Sequence, residues 1–154
     1  MNLKPTTKDN SPFDGCLYYA ASALGRIVTR MAEEEFAATG LSPSYVFLLM
    51  IVHAKPGIQP TEIAEKMMLT PSTVTRLIEK LEYQGYLRRR SEGRATLVEP
   101  TEKSLAANDR LQEAWAGLSR RYGELLGEET ARKLTQDIYE AAVKLEENAT
   151  VNAG

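Results

Sequence analysis

With one cysteine in 154 residues, the chain can close no disulfide on itself, and such usage suits a reducing compartment. Its one histidine, His53, cannot assemble a zinc site, and Cys16 lies far off in sequence. There is no Ser/His/Asp set, glycine-rich phosphate loop or metal-spaced cluster, so the chain reads as a non-enzyme that needs no cofactor. Long apolar runs are also missing: none approaches the roughly 20 residues of a membrane span. The opening MNLKPTTKDNSPF lacks the apolar stretch of a secretory signal. Residues 1–12 therefore read as a disordered tail and the chain as cytoplasmic. No internal repeat of about 20–50 residues is found. A positive excess is absent too, since the net charge is −2. That excludes a polycation coating nucleic acid indiscriminately.

What is present is 43% hydrophobic and 26% charged residues, enough for a real core under an ordinary surface. Residues 13–38 hold no proline, and Leu17, Ala21, Leu24, Val28 and Met31 fall on one stripe of a long helix. Thr39-Gly40 stops it. Ser42-Pro43 opens a second helix as N-cap plus proline. Val46, Phe47, Leu48, Leu49, Ile51 and Val52 make that helix apolar nearly all round, which predicts burial. A shorter helix from Pro60 to about Met68 turns Ile63, Ala64 and Met67 inward. Thr70-Pro71 opens the next, which runs to Gln84 with Gly85 as its stop and Val74, Leu77, Ile78 and Leu81 as its core stripe. Residues 87–98 read as a β-hairpin turning near Glu92-Gly93. Thr101 is the expected cap of the helix that follows. Beyond it, Leu111, Trp115, Leu118, Tyr122 and Leu125 form a seam for another helix. After a break at Gly127, so do Leu134, Ile138, Ala141 and Leu145.

The expected fold is mainly α: a winged helix-turn-helix with a small β-hairpin wing, plus long N- and C-terminal helices that form a dimerisation region. The boundaries are a dimerisation helix at 13–38, the winged module at 39–101, C-terminal dimerisation helices at 102–147 and a second disordered tail at 148–154. The seamed terminal helices have little to pack on within the module, and pairing with a second copy solves that.

A short helix, a tight turn, a second helix and a basic hairpin form a device for docking on duplex DNA. Residues 70–98 carry six basic and three acidic side chains, whereas 102–154 carry seven basic and ten acidic. Thr70, Ser72, Thr73 and Thr75 are small hydroxyl residues at the start of the recognition helix, where free N–H groups favour phosphate. Arg76, one turn in, can fork onto guanine or clamp a phosphate, and Lys80 shares its polar face. Thr61 opens the preceding helix and can hydrogen-bond the DNA backbone. In the hairpin, strand alternation puts Arg88 and Arg90 on one face and Arg89 on the other. Arg94, just past the turn, is placed to enter a minor groove, with Glu92 as the expected partner that orients it. Each feature alone also has a plainer reading: three arginines can be a solvated edge that discourages strand pairing, and hydroxyl residues can be caps.

The stretch PTEIAEKMMLTPSTVTRLIEKLEYQGYLRRR, with EGRATLVEPTEKS behind it, resembles the multiple antibiotic resistance regulator (MarR) family. Thr61-Glu62-Ile63-Ala64 is similar to the opening of that family's first reading helix. Residues 71–77, PSTVTRL, resemble its recognition helix, and 81–87, LEYQGYL, the exit into its wing. The helix order extends the similarity over nearly the whole chain. The departures are a slightly shorter wing, Glu92-Gly93-Arg94 in place of Asp-x-Arg, and Pro100 in place of the usual leucine. The resemblance implies a homodimeric, sequence-specific transcriptional regulator, usually a repressor of pseudo-palindromic operators and often released by a small ligand.

It also raises candidate switches. One branch of the family senses peroxides with a cysteine near Cys16, supported by tyrosines at places that here hold Met31 and Ser42. Against a thiol sensor stands a small buried apolar residue. His53, ending the buried helix, is expected to interact with its last carbonyls. Tyr18, Tyr45, His53 and Trp115 are the candidates for lining a pocket for a small aromatic effector. The alternative to a DNA-binding regulator is a winged-helix dimer that serves as a protein-interaction module without operator binding.

Overall fold

The computed structural model describes residues 12–13 and 15–151. Six α-helices and one hairpin follow in order: α1 Leu17–Phe36, α2 Pro43–Ala54, α3 Pro60–Met67, α4 Pro71–Tyr83, β1 Leu87–Glu92, β2 Ala95–Pro100, α5 Glu102–Leu126 and α6 Glu128–Val151. The mainly helical architecture with one antiparallel hairpin is that of a winged helix-turn-helix. Prolines at the first helical position open α2, α3 and α4, where a missing N–H costs nothing.

The first helix begins later than its periodicity implies. Pro12 and Phe13 lie in a turn that Cys16 N closes onto Phe13 O at 2.9 Å, so α1 starts at Leu17. It ends in a 3₁₀ turn, Ala37–Thr39, and Gly40 takes φ +73°. Thr39 is buried there, donating its hydroxyl to Phe36 O at 2.6 Å and accepting from Leu41 N at 3.1 Å.

Two further boundaries move. The C-terminal helix passes the expected limit at 147 and continues to Val151, because residues 146–151 hold neither proline nor glycine to stop it. Of the expected tails, 1–11 and 152–154 lie outside the described residues. The hairpin turn falls at Gly93-Arg94, one residue later than expected, since Glu92 pairs with Ala95. Gly93, with φ +61°, supplies the positive φ that a two-residue hairpin loop needs at its first central position.

The core is shared by the first five helices and the hairpin. Phe36, Leu48, Leu49, Ile58, Ile63, Ile78, Leu81, Leu87 and Leu111 are fully buried, drawn from α1 through α5. A backbone bridge between Ile58 and Val98 fastens the hairpin to the α2–α3 loop. The second helix is less enclosed than its composition implies. Phe47 is partly exposed beside Phe36, with ring centroids 5.7 Å apart and edge to face, and Met50 and Ile51 are half-buried.

Outside this core the apolar stripes face outward. Leu17, Ile27, Leu125, Leu126, Leu134, Ile138 and Leu145 are exposed, and α6 has no buried residue among those described. Arg121 ties α5 to α1, donating to Glu34 at 2.9 Å and Glu35 at 3.1 Å. Among the described residues, no single helix is long and apolar enough to cross a membrane.

Candidate nucleic-acid interface

Thr70 accepts a hydrogen bond from Thr73 N at 3.3 Å and so caps α4; its hydroxyl also lies 2.9 Å from that of Thr73. Thr75 donates its hydroxyl back to Pro71 O at 3.0 Å. Thr70 and Thr73 are thus engaged in building the helix start; Ser72 is exposed with its hydroxyl 3.3 Å from that of Thr70, and Thr61 is exposed in the first turn of α3. Val74, Ile78 and Leu81 are buried, and Leu77 packs against them, so α4 presents Ser72, Thr75, Arg76, Glu79, Lys80 and Tyr83 to solvent. Arg76 and Lys80 form no ion pair within the described residues.

The wing is different. Its strand alternation is as expected, but its arginines are occupied. Arg88 and Arg90 both reach Glu99 on the neighbouring strand, at 3.1 and 3.2 Å. Arg90 also donates to Glu92 at 2.7 Å, which takes Glu92 away from the expected pairing with Arg94. Arg89, on the opposite face, chelates Glu82 of α4. Hydrogen bonds from Arg89 hold the Glu82 carboxyl below the usual carboxylate range, and those from Arg90 do the same for Glu99. Arg94, exposed at the tip, forms no ion pair within the described residues. The cations available to a phosphate backbone are therefore Arg76, Lys80 and Arg94 rather than the Arg88–Arg90 run. Two of the three acceptors that neutralise the run, Glu99 and Glu82, come from another strand and another helix, which no local pattern reveals.

The candidate switches also settle differently. Cys16 is exposed at the N-cap of α1, not buried as a small apolar residue. His53 does not bond its own helix carbonyls. Its Nδ1 lies 2.9 Å from Asn108 Oδ1 and its Nε2 2.6 Å from the fully buried Ser104 hydroxyl, so it bridges α2 to the start of α5. The four expected pocket residues do not converge. Tyr18 is 82% exposed on α1, Tyr45 packs on the core, and only Trp115 lines a cleft. That cleft holds about 670 Å³ between Phe47, Met50 and Ile51 of α2, Lys66 and Met67 of α3, and Trp115 of α5. Phe47, the two methionines and Lys66 lie outside the four expected pocket residues. Among the described residues no three His, Cys, Asp or Glu side chains group as metal ligands.

A capped helix with a polar, cationic outer face, set behind a short helix and beside a hairpin, defines a DNA-binding protein of the winged helix-turn-helix class. Residues 41–92 match the family model of the MarR family. Two sequence relatives agree. An HTH-type transcriptional regulator of Bacillus cereus is 26% identical over 121 residues, 78% of this chain and 80% of the relative. The HTH-type transcriptional regulator PapX of Escherichia coli is 28% identical over 105 residues, 60% of this chain and 64% of PapX. Among solved structures, the fold is similar to that of the transcriptional repressor CouR of Rhodococcus jostii RHA1. CouR bound to a 23-mer DNA duplex superposes with a TM-score of 0.79 at 23% identity, covering 88% of this chain and 99% of CouR. CouR bound to p-coumaroyl-CoA gives 0.78, also at 23% identity, over 88% and 98%.

Proposed function

We propose that the chain is a cytoplasmic homodimer that binds a pseudo-palindromic operator sequence-specifically and represses transcription until a small ligand releases it. The observation that carries this reading is the charge state of the two reading elements. Arg76 and Lys80 stand unpaired on the outer face of α4 and Arg94 at the wing tip, while every other wing arginine is neutralised by a glutamate. Unpaired cations on an exposed helix face cost nothing in water and gain on meeting phosphate, where each contact releases counterions.

The apolar stripes of α1 and α6 support dimerisation. Leu134, Ile138 and Leu145 lie outward at heptad spacing and need a partner helix to leave water. Ligand release has a place in the α2–α3–α5 cleft. Phe47, Trp115 and the methionines suit an aromatic body, and Lys66 suits an anionic group, since Lys55 at the same rim is already held by Glu62 at 2.7 Å. CouR, which has structures with DNA and with an acyl-CoA, offers the parallel.

The test is a mobility shift on the DNA upstream of the chain's own gene, with salt varied. Binding that falls steeply with salt and prefers that duplex over a scrambled one supports the reading. Absence of binding at low salt contradicts it and leaves the protein-interaction module as the alternative.

A further inference from the structure

Tyr83 closes α4 with 90% of its surface in water, more than any other exposed large apolar or aromatic side chain described. Its ring makes no aromatic contact and its hydroxyl no hydrogen bond among the described residues. The folded protomer gains nothing from it. Yet it lies seven residues after Arg76, about two helical turns, and so on the same outward stripe as Ser72 and Arg76. The core residues Val74, Ile78 and Leu81 occupy the opposite side of the helix.

We propose that Tyr83 is a DNA-backbone contact, with its ring against a deoxyribose and its phenolic hydroxyl donating to a phosphate. The inference rests on the reading that α4 docks in the major groove. Eleven residues at about 1.5 Å of rise put Tyr83 roughly 16 Å along the axis from Ser72. The major groove is about 12 Å wide, so a helix whose start meets base edges carries its far end onto the sugar-phosphate wall. Phosphate contacts from tyrosine fix register without reading sequence. Charge at this end of the stripe also favours a neutral donor: Glu79, one turn earlier on the exposed face, repels phosphate and offsets Lys80. A phenol makes its hydrogen bond without needing a net positive surround. Nothing in the pattern of apolar positions singles it out, because a tyrosine at a helix end reads as ordinary surface.

This contact has a signature that ionic contacts lack. A neutral hydroxyl displaces no counterion, so its loss weakens binding without changing the salt slope, whereas removing a lysine at a phosphate lowers that slope by about one. The experiment compares the full-length chain with Tyr83→Phe, Tyr83→Ala and Lys80→Ala by fluorescence anisotropy over a range of salt. It uses a labelled duplex from upstream of the gene and a scrambled duplex of equal length. The expected result is a roughly fivefold to tenfold loss for Tyr83→Phe, larger for Tyr83→Ala, equal on both duplexes and parallel in salt to the wild type. Affinity unchanged in both Tyr83 variants overturns the proposal, and so does a loss confined to one duplex, which marks a base contact. If the wild-type chain binds neither duplex, the DNA-docking reading falls and this inference falls with it. If it binds and only the tyrosine variants are silent, the inference alone is wrong.

Discussion

Glu82 on the last turn of α4 accepts three hydrogen bonds from one residue of the wing, Arg89: from its backbone N at 3.2 Å, from Nε at 3.0 Å and from Nη2 at 2.7 Å. The reading helix and the wing are thereby held at a fixed angle. In the proposed docking on DNA, where α4 and the wing meet two grooves at once, affinity depends on that angle more than on either charge.

Replacing Glu82 by Gln therefore costs little stability and more affinity. Both partners are about one third exposed, so solvent screening limits the pair to under about 1 kcal/mol of folding free energy. Affinity for the upstream duplex falls further, because the wing loses its orientation. The stability part has a pH window. Because the folded-state pKa of Glu82 is depressed, its contribution is present above the usual carboxylate range and is lost as pH falls through the depressed value. Melting temperatures of wild type and Glu82→Gln should differ at about pH 7 and converge as the pH falls through the depressed value. A gap that stays constant with pH contradicts the ionic account.

The arginines of α4 and the wing should separate into two groups in binding assays. Arg76→Ala is expected to weaken binding to the upstream duplex by about 1–3 kcal/mol and to relax preference at one position. Arg94→Ala should also weaken it. Arg88→Ala, whose guanidinium is already spent on Glu99, should matter less. An equal loss for Arg88→Ala and Arg76→Ala shows that the Glu99 pairing opens on DNA.

His53→Ala strips the partner from a serine hydroxyl with no access to water. Ser104 is 0% exposed, and its oxygen then lacks the ring nitrogen 2.6 Å away. The expected cost is about 1–3 kcal/mol in urea unfolding. A change within error means that the hydroxyl finds another acceptor inside α5.

Ile138→Glu puts a charge in the α6 seam, at a side chain 46% exposed in the protomer. Helical content should persist while light scattering reports half the wild-type mass. A variant that keeps the wild-type mass contradicts a dimer paired through this seam.

Much of this architecture was legible because the signals were local. Thr70 announces α4 through Pro71 and its own capping oxygen, Gly127 breaks α5 from α6, and the alternation of Arg88 to Arg90 follows from the strand period. What stayed hidden depends on approach between distant segments. Glu99 meets Arg88 only through hairpin register, Glu82 meets Arg89 only because α4 turns back onto β1, and His53 finds Ser104 across 51 residues. Residue type alone could not tell a spent arginine from a free one. The same limit applies to the effector residues: aromatic type nominates Tyr18, Tyr45 and Trp115 alike, whereas of these only Trp115 lines the cleft, beside two methionines.

Hydroxyl-radical footprinting on the upstream duplex tests the central claim, that two copies present the outer face of α4 to DNA. The prediction is two protected half-sites about 34 Å apart on one side of the helix, both lost in Arg76→Ala. A single unrepeated footprint, or one that survives Arg76→Ala unaltered, contradicts it.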